Sequence, residues 1–340
     1  MKKIFFLLVL LFSFGTVSAQ TIKELVFFGD SLTDNGNLYS ATYKILPKSP
    51  PYYMGHFSNG PVWAEIFGDY YHNKFGTEYS IYAVGGATTI SRRPKDGALP
   101  YYLKKEIDSY LSNTEYSQRS KTLFLFWIGG NDYMGTKKQP PNDLVNEVVN
   151  EIVSQIKTLI THGGRKFVLI DMPDFSKVPF ANSLDEAEKD RLRVVSEINH
   201  EKMAEAVALL KNEYPNFTFI LIDAFNMFNN ILMNTEWYNQ KYGLHIINTW
   251  DSCWLGGYSL TEKNRDMLKA DLQSEAMADY VLHSPDLIAA YQVDKSQTLG
   301  LTTPCTNPEE YMFWDTVHPT SATHELLGKL MIEQIERMGS

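Results

Sequence analysis

Residues 24–37 read Glu24-Leu25-Val26-Phe27-Phe28-Gly29-Asp30-Ser31-Leu32-Thr33-Asp34-Asn35-Gly36-Asn37. Leu25 to Phe28 is an unbroken apolar run stopped by a glycine, the pattern of a strand covered on both faces. The pattern recurs at Ser80–Val84, Thr122–Ile128, Lys166–Ile170 and Thr218–Ile222. Helix-like stretches separate these runs. Strands alternating with helices predict an α/β fold: three layers around a central parallel sheet of about five strands.

The clearest helix runs from Leu144 to Ile160, where Leu144, Val145, Val148, Val149, Ile152, Ile156, Leu159 and Ile160 keep a three-to-four spacing. His162-Gly163-Gly164 ends it, with glycine in its usual C-terminal role. A long charged helix is expected over Leu184–Lys211 and another over Ala322–Met338. The segment 248–311 is the least regular and reads as an insertion into a single domain spanning residues 20–340.

Three short blocks follow predicted strands: Gly29-Asp30-Ser31-Leu32, Ala83-Val84-Gly85-Gly86 and Gly129-Gly130-Asn131-Asp132. Open α/β sheets bind ligands outside the carboxyl ends of their strands, so these blocks converge on one edge by topology alone. A fourth, Trp314-Asp315-Thr316-Val317-His318, precedes the final helix and must fold back over that edge. The set contains every part of an acyl-transfer site. A serine hydroxyl needs a base within hydrogen-bond reach, and that base needs an orienting carboxylate. Ser31, His318 and Asp315 are the candidates. The spacing of Asp315 and His318 lets one turn place both side chains beside the serine.

Oxyanion donors are expected from the Ser31 N–H, the Gly86 N–H and the Asn131 side chain. Gly85 is an alternative for the second, and Asn131 has an alternative role as a turn former. Asp30 reads as a cap for a helix following the serine, and His324 as a packed or surface residue on the final helix. No Gly-x-Ser-x-Gly elbow of the α/β-hydrolase kind is present.

These blocks, with Phe57-Ser58-Asn59-Gly60-Pro61-Val62-Trp63 and the extension Ala87-Thr88, resemble the SGNH or GDSL lipases. The likeness is to the branch of secreted bacterial lysophospholipases A and glycerophospholipid–cholesterol acyltransferases. It implies a flavodoxin-like SGNH sandwich and a lipolytic serine esterase. Such an enzyme acts on (lyso)phospholipid acyl esters through an acyl-enzyme, can pass the acyl group to a sterol, and needs no cofactor or metal. A carbohydrate deacetylase of the same fold is the enzymatic alternative, and a non-catalytic exported binding protein the alternative of another class. Ile81 and His56 depart from the family, which often has Asn and Arg there.

Lys2-Lys3, the apolar run Ile4–Phe14 and Val17-Ser18-Ala19 read as a signal peptide over residues 1–19, cleaved after Ala19. The apolar run is shorter than the roughly 20 residues a membrane-spanning helix needs. A secreted or periplasmic protein is therefore expected. Losing Lys2 and Lys3 makes a net charge of −9 more negative by two. An acidic chain gains nothing from nucleic-acid phosphates and no electrostatic attraction from anionic lipid. Contact with a membrane surface should thus be transient, and Arg92-Arg93-Pro94-Lys95 is too short to change this.

Only Cys253 and Cys305 are present. In an oxidising compartment a single disulfide is expected, the alternative being two buried thiols. Zinc-ligand spacing is absent among the eight histidines. Relatives of the acyltransferase branch carry a disulfide loop that an extracellular protease nicks. Here Asp294-Lys295-Ser296-Gln297-Thr298 reads as the exposed site for such an activating protease. An ordinary stabilising bridge is the other possibility.

Overall fold

The computed structural model describes residues 22–91, 102–254 and 258–339. The leader-like residues 1–19 and the Arg92–Lys95 run lie outside the described residues. The central sheet contains β1 (Glu24–Gly29), β2 (Glu78–Ile81), β3 (Thr122–Trp127), β4 (Lys166–Ile170) and β5 (Thr218–Ile222). All pairings are parallel, in the order β2-β1-β3-β4-β5. This is the flavodoxin-like order, whose strand direction of growth reverses between β1 and β3. Ser31 follows β1 and Asn131 follows β3, so both stand at the switch point.

β2 is displaced from the expected 80–84. The chain beyond Ile81 still runs along β1, with Tyr82 N–H donating to Phe27 and Val84 N–H to Gly29. The carbonyls of Ile81 and Ala83 instead accept from Asn37 Nδ2, at 2.9 and 2.8 Å. One asparagine side chain thus ends the strand and ties the second block to the first. Ile81 takes part through its carbonyl, which any residue supplies.

Helices α1 (Asn37–Ala41) and α2 (Trp63–Phe75) join β1 to β2, and α3 (Leu103–Asn113) and α4 (Tyr116–Arg119) precede β3. Between β3 and β4 lie α5 (Gly130–Gly135) and α6 (Pro141–Thr161), and α7 (Glu186–Glu213) leads to β5. Next come α8 (Ala224–Met233) and α9 (Thr235–Tyr242). The main core is continuous across the sheet, and every residue of β3 is buried, so helices cover both faces and the layers number three. α6 starts on Pro141, whose missing N–H costs nothing at a first helical position. It ends where Gly163, at φ 104°, lets the N–H groups of Gly163 and Gly164 reach back to Ile160 and Leu159. Asp185 caps α7 by accepting from Glu188 N–H.

The segment expected to be irregular is mostly helical. It opens on β6 (Asn248–Ser252) and continues through α10 (Arg265–Leu272), α11 (Glu275–Leu282) and α12 (Pro285–Thr298). β7 (Tyr311–Phe313) then pairs parallel with β6, and α13 (Ser321–Gly339) follows. Cys253 and Cys305 form a disulfide across the base of this segment. Asp294–Thr298, expected as an exposed loop, is instead the last turn of α12, and Ser296 there is 1% exposed. The exposed stretch begins at Gln297 and Thr298 in the last turn and runs on to Leu301.

A second apolar cluster fastens these helices over the sheet edge. Tyr280 and Leu287 pack with Leu38, Tyr52, Phe57 and Val84 from the loops after β1 and β2, and with Trp314. Each such fully buried side chain contributes about 1.5–3 kcal/mol, so the contact is held by apolar burial.

Candidate active site

The serine turn is built from both flanks. Gly29 must be glycine, because a Cβ there would lie 2.6 Å from the Trp127 carbonyl on the neighbouring strand. Its N–H donates to Glu106 Oε2 at 3.0 Å, a buried carboxyl that burial pushes well above the usual carboxylate range. Asp30 does not cap a helix. Its carboxylate accepts from Leu32 N–H at 3.1 Å and closes a tight turn over Ser31, while its carbonyl accepts from Thr33 and Asp34. Burial, joined by the negative charge of Asp286, raises the Asp30 carboxyl to about 8. The capping role falls to Asp34, which accepts from Gly36, Asn37 and Leu38 at the start of α1 and from Gly85 N–H at 2.7 Å.

This last bond separates the two glycines of the second block. Gly85 N–H is used by Asp34, whereas Gly86 N–H points into the site at φ 76°. Asn131 Nδ2 comes from the third block, donates to the Ala87 carbonyl at 3.1 Å, and shares a second acceptor with Gly86. Asp132 holds the two blocks together by accepting from the N–H and the hydroxyl of Thr89 at 2.8 and 3.1 Å.

The fourth block makes the turn its spacing suggested. Asp315 Oδ1 accepts from the N–H groups of Val317 and His318, both at 2.8 Å. Asp315 Oδ2 lies 2.7 Å from His318 Nδ1 and accepts from the Tyr52 hydroxyl at 2.5 Å. Burial alone would raise the Asp315 carboxyl, but the His318 charge and these hydrogen bonds outweigh it and hold it below the ordinary value. For His318 burial disfavours the imidazolium, and Asp315, with lesser help from Asp286 and Asp30, reverses the sign and raises it. His318 Nε2 is buried and makes no hydrogen bond among the described residues, which leaves this nitrogen available on the side away from Asp315. Phe57 packs on the imidazole ring with centroids 4.9 Å apart.

The stretch Phe57–Gly60 anchors that turn. Ser58 Oγ donates to the Pro319 carbonyl at 2.9 Å, and Asn59 Oδ1 accepts from Ser321 N–H at 2.8 Å. Its preceding His56 bridges the Tyr53 carbonyl and Glu65 at 2.7 and 2.9 Å. His324 is buried, accepts from Trp63 N–H through Nδ1, and is held neutral by burial, its pKa lowered to about 3.

Ser31, Asn131 and Val317 line one pocket together with Phe175, Phe228, Phe313 and Leu327. Its polar side chains are Asp30, Ser31, Asn131, Asp286 and Thr323, and the rest of its lining is apolar. Tyr52, Asp34, Glu106 and Asp286 all act at this edge, and sequence reasoning assigned none of them. A separate carboxylate–histidine group, Asp171, His200 and Asp223, collects beyond β4 and β5. His200 Nδ1 is 2.7 Å from Asp171 Oδ2, and burial lifts Asp171 to about 6. Asp171 also accepts from Phe225 N–H and Asp223 from Asn226, and none of the three lines the Ser31 pocket.

Comparison with known proteins finds relatives over most of the chain. The phosphatidylcholine-sterol acyltransferase of Aeromonas hydrophila is 28% identical over 326 residues, covering 92% of this chain and 90% of that one. The thermolabile hemolysin of Vibrio parahaemolyticus is 27% identical over 329 residues, which cover 94% of this chain and 65% of the hemolysin. The secreted effector protein SseJ of Salmonella typhimurium is 30% identical over 222 residues, 64% of this chain and 50% of the effector. The family profile described as GDSL-like Lipase/Acylhydrolase matches residues 25–331, nearly the whole of the described chain. The chain belongs to the GDSL-like lipase/acylhydrolase family.

Proposed function

We propose that this protein is an exported lipolytic serine esterase, with Ser31 as nucleophile, His318 as base and Asp315 as the group orienting it. The carrying observation is the convergence of Gly86 N–H and Asn131 Nδ2 on a single oxygen position in the pocket that Ser31 lines. Two such donors are what a tetrahedral intermediate requires. Ser31 Oγ attacks the ester carbonyl carbon while its proton passes to His318 Nε2, and the carbonyl electron pair moves onto the oxygen held by Gly86, Asn131 and the Ser31 N–H. Collapse expels the alcohol, which leaves with the proton from His318. Water or a second alcohol then repeats the sequence and frees the acyl group from Ser31.

The apolar pocket beyond the serine favours a long acyl chain over the acetyl group of a decorated sugar. The name of the acyltransferase relative supports a phospholipid substrate, with a sterol as one acceptor; a lysophospholipid offers the same acyl ester. Membrane contact is transient; among the described residues no helix is long and apolar enough to cross a bilayer. Export rests on the leader-like start and on a relative named as a secreted effector. A protease acting on the disulfide-bridged segment would find its exposed stretch at Gln297–Leu301, from the last turn of α12 onward. One domain carries the reaction, because the first and last blocks meet at one sheet edge.

A chromogenic ester assay of wild type and Ser31→Ala, followed by a panel of phospholipids, lysophospholipids and acetylated sugars, tests this. Turnover that survives in folded Ser31→Ala refutes the mechanism. Preference for acetylated sugars refutes the lipid assignment.

A further inference from the structure

Residues 35–64 hold no Asp or Glu, although the chain has 40 acidic residues among its 340. Within this stretch Tyr43, Met54, Tyr53 and Ile45 are 90, 65, 41 and 36% exposed, and Lys44 is exposed between two of them. Hydrogen bonds hold these side chains out in water. Thr42 Oγ1 donates to the Leu46 carbonyl and accepts from Leu46 N–H, both at 3.1 Å, which closes one tip around Tyr43–Ile45. His56 N–H donates to the Tyr53 carbonyl at 2.8 Å and closes a second tip around Met54. Tyr39 of α1 joins the two. Its carbonyl accepts from Lys44 N–H at 2.7 Å, and its side chain covers Gly55, where an added Cβ would lie 2.5 Å from the Tyr39 Cβ. Leu46, Tyr52 and Phe57 anchor both tips in the second apolar cluster. Tyr43 and Met54 stand at φ 54° and 47°, a conformation that bulky residues rarely adopt.

We propose that these two tips form the docking surface for a phospholipid membrane, with Tyr43, Ile45, Tyr53 and Met54 entering the boundary between headgroups and acyl chains. The proposal rests on the lipolytic reading above. Apolar side chains leave water at that boundary, and a tyrosine there buries its ring while its hydroxyl stays among the headgroups. Lys44 extends its stem along the same surface and carries its charge to the phosphates. Charge selects this occupant. The acidic chain as a whole gains nothing from lipid phosphates, but this stretch brings no carboxylate to them, and Lys48 neutralises Asp294 of α12 at 3.3 Å. A second copy of the chain would instead bring one net charge of −9 against another. The surface is also continuous with the site. The same stretch donates the Tyr52 hydroxyl to Asp315 and lays Phe57 on the His318 ring. A membrane seated on the tips therefore presents its acyl esters at the sheet edge that carries Ser31.

The test uses the full-length chain with its disulfide intact, as wild type and as the double variant Tyr43→Asn, Met54→Asn. Asparagine tolerates positive φ, so both turns are kept. Co-sedimentation with phosphatidylcholine vesicles is measured with Ser31→Ala added to each protein, so that no lipid is consumed. Hydrolysis of vesicle phospholipid and of a soluble short p-nitrophenyl ester is measured with Ser31 in place. The double variant should bind vesicles roughly tenfold or more weakly, the scale of withdrawing two apolar side chains from the interface. Its hydrolysis of vesicle phospholipid should fall in proportion while turnover of the soluble ester stays unchanged. Should it fail to fold, as judged by circular dichroism, Lys44→Glu decides in its stead by placing an acid in the stretch and weakening the binding. Wild type that does not sediment with vesicles, or folded variants that bind as well as wild type, overturns the docking surface and leaves the esterase intact. Equal losses on both substrates place the effect on the triad, through Tyr52 and Phe57, and overturn it as well. A wild-type dimer that the double variant breaks, without vesicle binding, gives this face to a second copy and overturns the membrane. If wild type turns over no ester at all, the lipolytic reading falls, and the vesicle comparison alone judges the surface.

Discussion

Replacing Tyr52 by phenylalanine removes one oxygen and leaves the ring in place, which isolates the hydrogen bond that Asp315 Oδ2 receives at 2.5 Å. The ring is packed edge-on to Trp314 with centroids 6.4 Å apart, so the substitution opens no large cavity. Asp315 keeps three donors, the N–H groups of Val317 and His318 and the His318 Nδ1 proton. A hydrogen bond to a charged group is worth about 1.5–3 kcal/mol. An unfolding entropy of about 2.1 cal/mol/K per residue over roughly 320 residues turns that into a Tm drop of about 2–5 °C. Asp315 is held below its ordinary pKa in the folded protein, so what its ionised form contributes is present above the unfolded value and lost as pH falls through the folded one. Through Asp315 itself the Tm difference is therefore the same at pH 5 and pH 8, while any further rise of the His318 imidazolium makes it smaller at pH 5. A second readout follows from the same atoms. With one fewer donor on Oδ2, Asp315 presents more negative charge to His318, and the imidazolium, already raised, rises further. Since His318 must be neutral to accept the Ser31 proton, the acid limb of kcat/KM should move to higher pH. Calorimetry at the two pH values and a pH–rate profile check both. An unchanged Tm with an unchanged acid limb would show that the Tyr52 hydroxyl does not act through Asp315.

Ser31→Ala and His318→Ala should each lower ester turnover to background in a folded protein, because groups acting as one unit are lost together. Asp315→Asn should be less damaging than His318→Ala, since Asp315 orients the imidazole without taking a proton; equal losses across the pH range contradict this. Gly86→Ala places a Cβ at φ 76° against Leu287 and Tyr280. It should cost about 1–3 kcal/mol of stability in a denaturant titration, with a fall in activity in the same preparation. In wild type the acid limb of kcat/KM should lie above the ordinary histidine value, because His318 is raised and activity is lost as pH falls through that point.

What the sequence determined by itself is local or repeated. Strands β1, β3, β4 and β5 announce themselves as apolar runs because both faces of a central parallel strand are buried, and α6 through its stripe, because one face is. The spacing of Asp315 and His318 fits one turn, and a turn is set by neighbours. Even the convergence of Ser31, Gly86 and Asn131 follows from strand order, which connection rules restrict. Only the tertiary structure decided which polar groups meet across long stretches of chain. Tyr52 reaches Asp315 across 263 positions, and Asp286 reaches Gly86 across 200. Such contacts leave no periodic mark, since each depends on where whole elements come to rest. The helices between the cysteines escaped detection for a related reason. The buried residues of α12 include Asp286, Leu287, Ala289, Ala290, Tyr291 and Val293, spread around the helix rather than along one stripe. A helix covered on most sides shows no amphipathic pattern, and what covers it comes from Leu38, Tyr52, Phe57 and Val84, hundreds of residues away in the chain.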